Sequence, residues 1–138
     1  MFLDASAIVA ILDQEPGWQD LHARIAQTQS RLYASGIVRY EASLAIARRK
    51  SGKRKATPDQ VKSGRDAVDE FLERIDAENV DVDAAIGFLA VEASATYGKA
   101  VGHPADLNLG DCFAYACAKA LNVPLLYKGN DFSQTDLA

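Results

Sequence analysis

The sequence is poor in the side chains that most often announce zinc, disulfide or nucleophilic chemistry. It holds two cysteines and two histidines in 138 residues. Cys112 and Cys117 are five apart in a stretch that reads as helix, which sets them about 140° apart around the axis at roughly 100° per residue. That suits neither a local disulfide nor a zinc pair of the C-x-x-C kind. Two small buried thiols in a reducing compartment are the expectation. His22 and His103 are isolated from one another in sequence and read as surface or core residues rather than ligands or bases. Long apolar runs are missing too, since none approaches the roughly 20 residues of a membrane span. Met1-Phe2-Leu3 meets Asp4 with no basic segment ahead of it, which argues against a signal peptide and for a cytoplasmic protein without a membrane partner. Finally there is no excess of positive charge: the formal net charge is −4. A protein that grips nucleic acid by backbone charge alone is normally basic. An enzyme that bridges its own acids to phosphate through cations is not excluded.

What is present points to a packed domain. Apolar residues make up 49% of the chain, enough for a core and against disorder. The length suits one domain over residues 1–138. MFLDASAIVAIL begins as a short strand and turns into helix, with Asp4 or Ser6 near the cap. Residues 17–30 are helical, with Trp18, Leu21 and Ile25 on one face. Arg31 to Ala34 reads as a short strand, and Ser35 caps a helix carrying Glu41. Thr57-Pro58 starts another helix, in which Val68, Phe71, Leu72 and Ile75 point inward. ENVDV is a strand, residues 83–97 a helix, residues 98–110 a loop, and Asp111 to Leu121 a helix apolar almost all round and therefore buried. PLLY is the last strand. Strands that alternate with helices predict a parallel sheet with helices on both faces.

In such a fold ligands bind beyond the carboxyl ends of the strands. Asp4 ends the first strand, and Asp131 follows the last one after Gly129-Asn130. Asp4 and Asp111 each have a helix-capping reading beside a ligand reading. Glu41 shares a helix face with Ile37, Leu44, Ala45 and Arg48, and a glutamate turned inward needs a partner or a metal ion. Together these are four acids on segments that reach one rim. Clustered carboxylates repel, and Mg²⁺ or Mn²⁺ takes oxygen ligands of this kind. Two such ions clamp the attacking and leaving oxygens of a phosphodiester with no help from His or Cys. Asp136 is expected at or beyond a short edge strand, outside the ligand set.

The same residues carry a family resemblance. MFLDASAIVAIL with Asp4 and Ser6, ASGIVRYEASLAIARR with Glu41, and LNLGDCFAYACAKALNVPLLYKGNDFSQTDL with Asp111 and Asp131 are similar to the PIN-domain ribonucleases, and within them to the VapC toxins of type II toxin–antitoxin systems. The resemblance implies a three-layer α/β/α fold with a mainly parallel central sheet. It implies cleavage of RNA dependent on Mg²⁺ or Mn²⁺, held by Asp4, Glu41, Asp111 and Asp131 with Ser6 in support. It further implies a cognate VapB-like antitoxin that places a basic side chain against Asp4, Glu41 and Asp111, and a toxin homodimer within a larger complex. Leu12, Trp18 and Leu21 are candidates for holding the antitoxin's apolar anchors, with ordinary core as their competing reading. Relatives of this kind often carry a basic residue near position 106, where this chain has Asp106.

ARRKSGKRK carries six basic residues from Arg48 to Lys55. A solvated helix end, phosphate contact for RNA and a dock for an acidic antitoxin segment all fit it. Two rival enzyme-like folds fit less well. A phosphoacceptor receiver wants paired acids after its first strand, and MFLDAS has one. A haloacid-dehalogenase-like phosphatase wants an aspartate where this chain has Ser6. A PIN fold without catalysis, acting as a binding module, remains the alternative in function, and the presence of all four acids argues against it.

Overall fold

The computed structural model describes all 138 residues. Four short parallel strands, Phe2–Leu3 (β1), Tyr33–Ser35 (β2), Glu78–Val80 (β3) and Leu125–Leu126 (β4), form one sheet in the order β3-β2-β1-β4. Six helices flank it: Ala5–Leu12 (α1), Trp18–Gln27 (α2), Gly36–Ser51 (α3), Pro58–Arg74 (α4), Ala84–Tyr97 (α5) and Leu109–Leu121 (α6). The α/β architecture expected from the alternation is therefore present. No helix is long and apolar enough to cross a membrane.

The central strands are buried on both faces, as strands of parallel sheets are. Phe2, Leu3 and Leu126 are fully enclosed. They belong to one cluster of 32 buried apolar residues that runs through α1, α3, α4 and α6. β3 is a polar edge, with Glu78 and Asn79 exposed. The observed strands are shorter than the sequence suggests. β2 starts at Tyr33, where pairing to Phe2 begins, while Arg31 stays exposed and forms an ion pair with Glu78. β3 stops at Val80 because Asp83 already caps α5, its carboxylate accepting the Ile86 N–H at 2.9 Å.

Local signals explain where the helices begin. Ser35 Oγ accepts the Val38 N–H at 3.3 Å and starts α3. Thr57 and Gln60 form a reciprocal capping box at α4, with Pro58 at the first helical position. α4 lies so close on α3 that a Cβ at Gly64 would stand 2.4 Å from the Ser43 carbonyl oxygen.

Two expectations need correction. The stretch 98–110 is not all loop: it holds a 3-10 turn at Lys99–Val101, a bridge between Gly98 and Leu107, and the first residues of α6. α6 starts at Leu109 rather than Asp111 because Asn108 is the capping residue. Asp136 does lie beyond a short edge strand, since β4 with its two residues is the last strand of the sheet. A 3-10 turn at Asp131–Gln134 follows β4, anchored by buried Phe132, whose ring lies 5.0 Å from that of Tyr127.

Candidate active site

Parallel strands bring their carboxyl ends to one rim, and β1 ends there in Asp4. Asp4 caps α1 and is 4% exposed. Its Oδ2 accepts the Ser6 N–H at 2.9 Å and also the Ser6 hydroxyl. Ser6 Oγ in turn accepts the Lys128 N–H at 2.9 Å. One hydroxyl thus ties the carboxylate at the tip of β1 to the chain leaving β4. The Lys128 ammonium donates to the Pro16 carbonyl oxygen and to no acid. Burial pushes the Asp4 carboxyl above the ordinary carboxylate range, and nearby Asp131 adds to the effect, while the Ser6 bonds oppose it.

Glu41 projects from the second turn of α3 and is half-buried. Its carboxyl is pushed up to about 7, first by burial and then by the charges of Asp4 and Asp111. It rests against the first turn of α6. A Cβ on Gly110 would stand 2.0 Å from each of its oxygens, so a glycine makes the room in which this acid sits. Asp111 completes a capping box: Asn108 Oδ1 accepts its N–H at 3.1 Å, and its Oδ2 accepts the Asn108 N–H at 2.8 Å. Burial pushes its carboxyl up to about 6, with Asp4, Asp131 and Asp106 adding and the Asn108 N–H opposing. Asp106 thus sets a further negative charge near the rim, where the resemblance implied a basic one. Asp131 opens the 3-10 turn after β4 and is exposed.

All four acids and Ser6 line one open cavity of about 490 Å³. None of the four takes part in an ion pair. No three of them stand together in an arrangement that could hold a metal ion as they are placed. Asp111 is folded back onto the Asn108 N–H, and Asp131 stays at the exposed mouth. The cavity therefore presents carboxylate oxygens that no cation pairs with, the donor type that hard divalent cations prefer.

The capping reading of Asp4 and Asp111 holds: Asp4 caps α1, Asp111 answers Asn108 in the capping box of α6, and both line the cavity. Asp136 lies elsewhere, accepting from the Tyr115 hydroxyl at 2.7 Å and from Lys119 Nζ at 2.8 Å. Leu21 is not free to anchor a partner, being 7% exposed on the inner face of α2 beside buried Ile25. Leu12 and Trp18 are half-buried against the core. Sequence reasoning passed over Gly110, Asn108, Tyr40 and Glu15, all of which line or shape the cavity. An Asn three residues ahead of an Asp is a readable capping signal. Nothing local in the sequence links Gly110 to Glu41, which lies on another helix.

A parallel sheet between helical layers, with acids gathered at its carboxyl rim and no histidine or cysteine among them, defines the class: an α/β protein with a carboxylate site. The chain belongs to the PIN domain family, whose model matches residues 1–137. It is similar over nearly its whole length to VapC ribonucleases. One from Rhizobium meliloti is 47% identical over 139 residues, covering 99% of this chain and 98% of the relative. Ribonuclease VapC42 of Mycobacterium tuberculosis is 37% identical over 138 residues, covering 99% of this chain and 96% of the relative. The crystal structure of VapBC2 from Rickettsia felis, bound to a DNA fragment from the promoter, superimposes with a TM-score of 0.65 at 18% identity, over 96% of this chain and 90% of that one, a likeness of fold.

Proposed function

We propose that this protein is a metal-dependent endoribonuclease, the toxin of a type II toxin–antitoxin pair restrained by a cognate VapB-like antitoxin. The observation that carries the reading is the cavity lined by Asp4, Glu41, Asp111 and Asp131, none of them paired with a cation. The names of the similar VapC ribonucleases support it.

In this reading Asp4, Glu41 and Asp111 are the principal ligands of Mg²⁺ or Mn²⁺, and Asp131 adds a fourth carboxylate at the mouth. When bound, such an ion activates water and offsets charge on the phosphate. The chain's own residues set the geometry. Ser6 fixes the Asp4 carboxylate, Gly110 leaves the space that Glu41 occupies, and Asn108 orients Asp111. The cavity has no histidine pair to run the route through the ribose 2′-hydroxyl. In-line attack by water then leaves a 5′-phosphate and a 3′-hydroxyl. A homodimer in the cytoplasm, with an antitoxin arginine forked onto the same carboxylates, completes the reading.

The test is induction in cells without the antitoxin gene, with sequencing of RNA ends. Wild type should arrest growth and generate new ends bearing a 5′-phosphate, and Asp4→Asn should do neither. If Asp4→Asn arrests growth as strongly as wild type, the toxicity does not come from this site. Cut ends carrying a 2′,3′-cyclic phosphate would contradict the water mechanism.

A further inference from the structure

We propose that the ridge formed by Tyr40, Leu44 and Arg48 on α3, continued by Arg54 and Lys55, is the track that carries single-stranded RNA to and from the acid cavity. Tyr40 stacks a base beside the scissile phosphate, and the three cations hold backbone phosphates to one side of it. The proposal rests on the ribonuclease reading and deepens it by naming the residues that hold the strand.

The geometry makes one continuous path. Tyr40, Leu44 and Arg48 are successive i, i+4, i+8 residues, so they form a single stripe about 12 Å long at 1.5 Å per residue. All three line the acid cavity. Leu44 and Arg48 also line the next hollow, of about 440 Å³, together with Arg54 and Lys55. The two hollows therefore share a wall, and that wall is the ridge.

Within the basic stretch from Arg48 to Lys55 the cations divide into engaged and free. Arg49 is engaged by Asp13 at 3.3 Å and by Glu15. Lys50 donates to the Ser63 hydroxyl at 3.1 Å. Arg48, Arg54 and Lys55 have no acid partner. In a chain of net charge −4, free cations next to a cavity of free acids give a polyanion a favourable approach to a site that would otherwise repel it. Tyr40 decides which polyanion. It is 66% exposed, and its ring pairs with no other aromatic ring. An acidic peptide segment offers nothing comparable to stack on that ring. Unpaired RNA bases do, whereas bases in a duplex have their faces covered.

The test uses Asp4→Asn protein, so that RNA is bound without being cut, and follows the anisotropy of a labelled mixed-sequence RNA of about twelve nucleotides over a salt series. Adding Arg48→Ala, Arg54→Ala and Lys55→Ala together should weaken binding and lower the slope of log affinity against log salt by about 2, at roughly 0.7 per phosphate contact on a single strand. Tyr40→Ala should weaken single-strand binding on the order of tenfold, Tyr40→Phe should retain it, and binding of the matching duplex should be indifferent to either. The four altered side chains are exposed, and an unchanged melting temperature checks that the fold is intact. Parental affinity and salt slope in the triple variant would overturn the track. So would a triple variant that keeps RNA but loses a polyglutamate peptide, which would make the run a dock for acidic protein. If the Asp4→Asn parent binds no RNA and wild type cuts none with Mn²⁺, the ribonuclease reading itself falls and the track goes with it.

Discussion

Asp111 lies in the first turn of α6 and Asp136 against its later turns, and the two have opposite surroundings. Asp136 receives two donors, Lys119 and the Tyr115 hydroxyl, and these hold its carboxyl below the usual range, the Lys119 bond most of all. Asp111 pairs with no cation, and burial first, then the other acids, drive its carboxyl up to about 6. Other acids outside the cavity are paired in the same way: Asp69 with Arg39, Glu70 with Arg74, and Asp13 and Glu15 with Arg49. Cations are at hand even beside the cavity, yet Lys128 turns to the Pro16 carbonyl and Arg49 to Asp13 and Glu15. Several acids away from the rim are neutralised within the chain. The four at the rim are left for something from outside.

The widest separation between the two acids should appear in catalysis. Asp111→Asn or Asp4→Asn should lower the rate of RNA cleavage by on the order of a hundredfold or more, the scale on which removal of one preorganised electrostatic group acts. Asp136→Asn should keep cleavage near wild type and cost at most about 1 kcal/mol of stability, because its ion pair is half-exposed. Comparable losses of activity in both variants would erase the distinction.

Metal binding should divide them next. An ion that binds only the folded state at a hundredfold excess over its dissociation constant stabilises by about 2.7 kcal/mol, which raises the melting temperature by on the order of 10 °C in a domain of this size. Mn²⁺ should give that rise in wild type and in Asp136→Asn, and little of it in Asp111→Asn. A binding module without a metal site would show no rise in any of the three, and equal rises in all three would remove Asp111 from the ligand set.

These two acids also mark how far the sequence could be read. The acids at the rim were legible because parallel topology follows from the alternation of strands and helices, and that topology sends every strand tip to one side. Asp136 was expected at or beyond a short edge strand and outside the ligand set, and it does follow β4 at the sheet edge. Its true role depends on Tyr115 and Lys119, some twenty residues back, and no local pattern encodes that pairing. The boundaries of β2 and β3 shifted for a related reason, since strands of two or three residues are set by register with neighbours rather than by propensity. Gly110 was invisible for the same cause: its requirement comes from Glu41 on a different helix.

Gly110 sharpens the comparison at intermediate strength. Ala at this position should suit the first turn of α6, where it is a better helix former than glycine. Its Cβ would occupy the place of the Glu41 carboxylate, the movable end of a flexible side chain. Gly110→Ala should therefore melt within a few degrees of wild type while cleavage falls roughly 10- to 100-fold, the usual range for disturbing what orients a metal ligand. Unchanged cleavage with Gly110→Ala would show that the resting position of Glu41 is not its working one.

The smallest expected effect is the pH dependence of stability, and there the two kinds of acid act in opposite directions. Glu41 and Asp111 have raised carboxyls in the folded protein, up to about 7 and about 6. Between the ordinary carboxylate range and those values the native state holds protons that the unfolded chain has released. Stability in EDTA should therefore fall as pH rises from about 5 to 7, then level off. Asp136 has a lowered carboxyl, so its contribution is present at neutral pH and is lost only in acid, as pH falls through its folded value. Thermal melts in EDTA should show a decline of a few degrees over that span in wild type and Asp136→Asn, and a flatter curve in Glu41→Gln. With Mn²⁺ present the sign should reverse, because protons and metal compete for the same oxygens and the gain from metal shrinks below about pH 6 to 7. A slope in EDTA that Glu41→Gln leaves untouched would mean that the protons are taken up elsewhere, and the rim would then lose its claim to be the acid cluster left without partners.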